Sequence, residues 1–348
     1  MAWKTVAGTF VLALLVVLPT STRAVTFTRL ANSPTGRTVL DPGPLTMTAG
    51  SEAWHETGRD FLPFDYEQGV ASDGRGNLFF NSRGMIYRTT TGCPSPGDDA
   101  VPCYDVRAEN RTPIDSGQGS RGFNHVGDTS AGRKGPAAGF LFTPVEKSPG
   151  NGVDKIFKVF DAETLATAGT LDIPGPFSHH AWVVVDPSGR FMLNADATIR
   201  KLEVYRISRN PKPASPAERV FLTRAKELDV SIDEGIPGDV GPTGCSFRDD
   251  LTLYCADWRK NQAKWDEGTD VYRIRLRSPV GISGNSGSAS KAFSFAVSHR
   301  TPSITYGLEG EGVTFYRRTA GGPNELHVLI RGEHLASTFL LHLAPGRG

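Results

Sequence analysis

The stretch His179-His-Ala-Trp-Val-Val-Val-Asp-Pro-Ser-Gly-Arg-Phe-Met-Leu-Asn194 decides the fold class. Two short apolar runs flank Asp186-Pro-Ser-Gly189, a sequence of turn formers, and a third run, Leu202-Glu-Val-Tyr-Arg-Ile207, alternates apolar with charged residues. Runs of this length with period two, punctuated by Gly, Pro and Asp, are strands joined by turns, and no helical stripe competes with them. The stretch therefore reads as an antiparallel meander.

The same order recurs along the chain: a polar cluster beside glycine, a short strand, a turn, an apolar strand, then a strand mixing apolar and basic residues. Upstream lie Glu67-Gln-Gly-Val-Ala71 with Asn77–Asn81 and Met85–Thr89, and then Asn124-His-Val-Gly-Asp128 with Gly139–Thr143 and Lys155–Phe160. Downstream are Cys245–Cys255 with Asp270–Leu276, and Glu309-Gly-Glu-Gly-Val-Thr-Phe315 with Glu325–Ile330 and Thr338–Leu343. One such sheet cannot bury both faces by itself, so radial stacking as a β-propeller is expected. Five blades are expected, or six if residues 31 to 60 form a sheet of their own. Outer strands are expected at Ala168–Ile173, Val220–Arg224 and Ala292–Ala296. The last unit has no room for one before Gly348, which leaves the mature N-terminal strand Val25–Leu30 to close the ring and cover both edges. The Pro/Gly/Ser-rich linkers around Ser95, Pro211 and Gly281 are expected to be surface loops.

Lys4, the apolar run Val6–Leu18 and the small residues ending at Ala24 have the order of a secretory signal peptide cleaved after Ala24. This divides the chain into a leader, 1–24, and one propeller domain, 25–348, that is secreted, extracellular and without a membrane span. The 38 basic and 37 acidic side chains leave a net charge of +1, with both signs interspersed, so no field draws in nucleic acid. Nothing in the chain calls for assembly, and a monomer is expected.

In an exported chain the equal spacing of Cys93 with Cys103 and of Cys245 with Cys255 points to two local disulfides. The second pair flanks a turn at Asp249-Asp250, which sets the sulfurs across a ladder; the first staples a proline-rich loop. Asn110-Arg-Thr112 has the spelling of an N-glycosylation acceptor.

The motifs Gln68-Gly69, Asn124-His-Val-Gly-Asp128, His179-His-Ala-Trp-Val-Val-Val-Asp-Pro187, and Glu309-Gly-Glu-Gly312 with Leu326-His-Val-Leu329 resemble those of a group of exported propellers of unestablished activity. More distantly the chain is similar to gluconolactonase and regucalcin-like propellers and to esterase-like phytase propellers, a resemblance that implies fold more than function. Unit four departs from the pattern, with Gly238-Asp-Val-Gly241 and Gly244-Cys245 where a second Gln-Gly-Gly is usual.

In a propeller the starts of the innermost strands converge on one channel mouth. Here they supply Glu67, Gln68, His125, Asp128, His179, His180, Glu309 and Glu311. Glu67, Gln68, Asp128, His180 and Glu309 are the expected ligand-binding set, and His125, His179 and Glu311 the expected ligands of a divalent metal ion, zinc or calcium. Each residue taken singly reads as well as a turn cap or a solvated charge. Gly117–Gly122 spells GxGxxG without the flanking strand and helix of a dinucleotide site, and no GxSxG or HExxH occurs. Trp258 and Trp265 read as inter-blade packing, or as a sugar-binding rim with Arg259-Lys260.

Two functions follow. One is a binding module that holds a small polar molecule, a glycan or an extracellular protein at the polar channel mouth. The other is a metal-assisted hydrolase or lactonase, with His125, His179 or His180 and Glu309 or Glu311 as ligands and a spare carboxylate as general base.

Overall fold

The computed structural model describes residues 45–62, 66, 68–90, 106–115, 119, 122–146, 153–177, 182–195, 198–233, 236, 241–257, 268–297, 308–318, 322–332 and 337–346. The expected leader 1–24, Val25–Leu30, Cys93 and Cys103, Glu67, His179, His180, Trp258 and Trp265 lie outside them.

Strand pairing follows the recurring order of the sequence. The first meander is β3 (Gly69–Ser72), β4 (Asn77–Asn81), β5 (Ile86–Thr90) and β6 (Val106–Asn110). In the second, an inner edge split into β7 (His125–Val126) and β8 (Ser130–Ala131) pairs with β9 (Phe140–Glu146), followed by β10 (Val153–Asp161) and β11 (Thr167–Phe177). The third is β12 (Val184–Val185), β13 (Phe191–Ala195), β14 (Lys201–Arg209) and β15 (Val220–Ile232). The fourth is β16 (Pro242–Asp249), β17 (Thr252–Asp257), β18 (Thr269–Leu276) and β19 (Gly287–Val297). The last is β20 (Leu308–Tyr316), β21 (Glu325–Gly332) and β22 (Ser337–Pro345). The three expected outer strands fall in β11, β15 and β19.

The innermost strands touch in the cyclic order β3, β8, β12, β16, β20 and back to β3. Between successive meanders sit separate apolar cores. One holds Phe79, Leu141 and Phe160, and another Phe142, Phe157 and Tyr205. Next come Trp182, Leu253 and Tyr272, then Phe293, Val313 and Phe339, and last Leu78, Phe80, Leu329 and Leu340. Each meander thus buries both faces against its neighbours, and the chain is a β-propeller.

The closing strand differs from the expected one. It is β2 (Trp54–Leu62), which pairs along β22 from Trp54 opposite Pro345 to Leu62 opposite Thr338. Trp54 and Leu62 are buried in this segment, and Trp54 packs on Tyr254 and Phe293 of the neighbouring meander. Nor do the described residues between 31 and 60 make a sheet of their own. Strand β1 (Leu45–Ala49) instead covers the outer edge of β19, so both N-terminal strands are spent on unpaired edges of other meanders.

Cys245 and Cys255 stand opposite each other on the β16–β17 ladder, Cα atoms 4.1 Å apart, and are disulfide-bonded. On a loop this short, replacing both by serine is expected to lower stability by about 2–3 kcal/mol, read from urea melts. Asn110, by contrast, is engaged: its side-chain nitrogen donates to the Leu165 carbonyl at 2.9 Å, tying β6 to the following meander. A glycan on that nitrogen would leave it a single N–H with which to keep this bond.

Candidate functional site

Because all the innermost strands run the same way, the axis has a mouth where they start and another where they end. Asp128 separates the two. It falls in the gap between β7 and β8, its side chain is fully buried, and its Oδ1 accepts the Val70 amide at 2.9 Å. The amides of Thr129, Cys245 and Val313 also approach the carboxylate and favour its charged form, though Oδ2 has no well-formed donor. Burial outweighs them and pushes the carboxyl well above the usual range. Glycines 69, 244 and 312 crowd this centre: a Cβ on Gly312 would lie 2.7 Å from Val70 N, and one on Gly69 2.7 Å from Asp128 Cα. Asp128, expected from the sequence as a ligand-binding residue, sets its carboxylate against amides of three other meanders at the axis.

At the strand-start mouth the structure brings together Gln68, His125, Glu309 and Glu311. His125 Nδ1 faces Glu146 Oε1 at 3.0 Å and its Nε2 faces Gln68 Oε1. Gln68 Nε2 donates to Glu311 Oε1 at 3.5 Å. Arg331 lies 3.6 Å from Glu311 Oε1 and 3.4 Å from Glu309 Oε2. The expected metal ligands His125 and Glu311 are therefore joined through Gln68. Among the described residues no three His, Cys, Asp or Glu side chains gather as a metal site. Glu146 and Arg331, absent from the expected set, sit on second strands, where the reading of strand starts did not look.

At the strand-end mouth lies a cavity of about 300 Å³ whose wall takes residues from every meander: Val70–Ser72, Thr129–Ala131 with Arg133 and Lys134, Val184–Pro187, Cys245–Asp250 and Val313–Thr314. Arg133 belongs to this wall, and its Nε and Nη2 donate to the carbonyls of Ser72 (3.0 Å) and Phe315 (2.6 Å). Burial lowers the guanidinium's pKa, with Asp73 opposing. The innermost strands are edge strands, so their backbones add donors and acceptors to the hydroxyls of Ser72, Ser130, Ser246 and Thr314. Nothing in the sequence singled out this end, because serine, threonine and one arginine after a strand are ordinary surface residues.

No known family model matches the chain, and no curated protein matches it by sequence. Solved structures with related geometry include a luciferin-regenerating enzyme, 11% identical, covering 88% of this chain and 96% of that one with a TM-score of 0.43. The periplasmic gluconolactonase PpgL of Pseudomonas aeruginosa is 14% identical over 76% of this chain and 65% of its own, with a TM-score of 0.36. Hydrazine synthase of Kuenenia stuttgartiensis is 12% identical, TM-score 0.36, and the chain spans 65% of its length.

Proposed function

We propose that this protein binds a small polar molecule on the propeller axis, in the cavity at the strand-end mouth. The carrying observation is that cavity of about 300 Å³, walled by all the meanders. Its size is at the lower end of small-molecule sites, roughly 300–1,000 Å³. Edge-strand amides and carbonyls, hydroxyls and the Arg133 guanidinium suit a compact, multiply hydroxylated molecule, one that offers donors and acceptors all round. Secretion of the mature chain belongs to the same reading, supported by the leader-like N-terminus and the disulfide.

The test is saturation-transfer NMR of the purified chain against a panel of monosaccharides, hydroxy acids and their lactones. Ser246→Trp, which fills the cavity, is expected to remove the signal of any binder, whereas Gln68→Ala, at the other mouth, leaves it unchanged. The reverse pattern would move the site to the strand-start mouth. Following the lactones by pH-stat with added zinc or calcium decides whether binding leads to hydrolysis.

A further inference from the structure

His327 on β21 and His342 on β22 stand opposite each other on the ladder, fully buried, with their Nδ1 atoms 2.6 Å apart. His327 Nε2 donates to the Tyr316 carbonyl at 3.2 Å, and its ring stacks on that of Tyr316. His342 Nε2 lies 2.9 Å from Asp60 Oδ2 on β2, the strand that closes the ring. These contacts fix the protons. With Nε2–H committed to Tyr316, His327 Nδ1 is an acceptor, so His342 Nδ1 is the donor.

A proton added at His327 Nδ1 would meet the His342 N–H head on. Few neighbours can compensate. From β2 the facing charge is Asp60, which lies beside His342 rather than His327; beyond β20 it is Arg318, a cation held by Glu325 of β21 at 2.7 Å. The neighbouring meander contributes Tyr87, with Tyr66 beside it, among apolar residues that include Leu78 and Phe80. Burial, then His342, holds His327 well below the usual imidazole range, with Arg318 acting the same way. Below the unfolded-chain value of about 6.5 the open state thus binds more protons than the closed one, and stability present above that pH is lost as it falls.

We propose that the His327–His342 pair is an acid-release latch on the ring: a proton taken up from solvent at His327 Nδ1 splits the pair and frees β2 from β22 while the other meanders stay folded. The latch sits where such an opening is local, since β2 reaches the last meander from the opposite end of the chain and pairs there with β22 alone.

Hydrogen-exchange mass spectrometry of the full chain at several pH values from 7.5 to 5.0, corrected for intrinsic rates, tests this. Exchange within 54–62 and 337–345 is expected to rise about tenfold per pH unit below about 6.5, one proton per opening, with 245–257 unchanged. Unchanged protection at β2, or loss in step at 245–257, overturns the proposal. His327→Gln, which can still donate to Tyr316, is expected to abolish the acid response, and its persistence overturns the proposal. Should that variant not fold, His342→Asn serves: its amide can turn its oxygen towards a protonated His327 Nδ1, so the rise flattens below tenfold per pH unit. An unaltered slope overturns the proposal.

Discussion

Gly244→Ala is expected to destroy the fold or destabilise it by more than about 4 kcal/mol, a loss of the size that marks a backbone clash rather than an ordinary packing defect. The added Cβ would be driven into the Asp128 carboxylate and would lie 2.7 Å from Gly312 Cα, so the colliding partners are a buried side chain and backbone, neither able to swing away. Relief would require two meanders to move apart, and the apolar cores between meanders resist that. Gly84→Ala is the control. Nothing lies within 4 Å of its added carbon, and its unfolding free energy is expected to stay within about 0.5 kcal/mol of the parent. Soluble yield and urea melts of the two variants decide it.

Asp128→Ala is the second large effect, expected at about 3–5 kcal/mol, since each buried amide stripped of its acceptor costs about 1–3 kcal/mol. The Val70 amide would be left without a partner, and the approaching amides of Thr129, Cys245 and Val313 would lose their counter-dipole together. Asp128→Asn separates hydrogen bonding from charge. Burial raises the carboxyl in the folded chain, so the folded state holds its proton to higher pH than the unfolded chain does. That contribution to stability is complete below about pH 3.9 and declines as pH rises toward the folded value. The asparagine keeps an acceptor and cannot titrate. Urea melts from pH 4 to 8 should therefore show the parent losing stability relative to Asp128→Asn as pH rises, and parallel curves would refute the raised carboxyl.

The fold was legible because its signal is local and repeated. Asp186-Pro-Ser-Gly189 and Asp249-Asp250 mark turns by their own chemistry, and the strands between them alternate as a pleat requires. Ring closure was legible only as a need for an N-terminal strand, not as its register. Pairing of β2 with β22 is long-range and rests on Trp54 finding Tyr254 and Phe293, contacts no window of sequence contains. β6 was missed for the opposite reason: Val106-Arg-Ala-Glu-Asn110 is a mostly polar outer strand with little to distinguish it from a loop.

The site was half legible. Gln68, His125, Glu309 and Glu311 do share one mouth, as their common phase in the repeat requires. What the phase did not reveal is that they answer one another, through Glu146 and Arg331, and that Asp128 is withdrawn to the centre. A usable signal was present in Gly69, Gly127, Gly244 and Gly312, which recur at one phase of the repeat. Three of them mark backbones converging on a point, although glycine beside a polar cluster first reads as a turn. The strand-end cavity depends on which backbone edges face inward, and residue type carries no trace of that.

Trp54 and Pro345 are neighbours across an antiparallel ladder, and the Gly346 amide donates to the Ala53 carbonyl at 2.8 Å. Traction applied at these two points would load the rungs between β2 and β22 singly, in succession, as a zipper opens, because the bonds lie along the pull and perpendicular to the strands. The ring is thus mechanically soft at its seam, and a tether attached there would open it at far lower force than one that slides strands past each other.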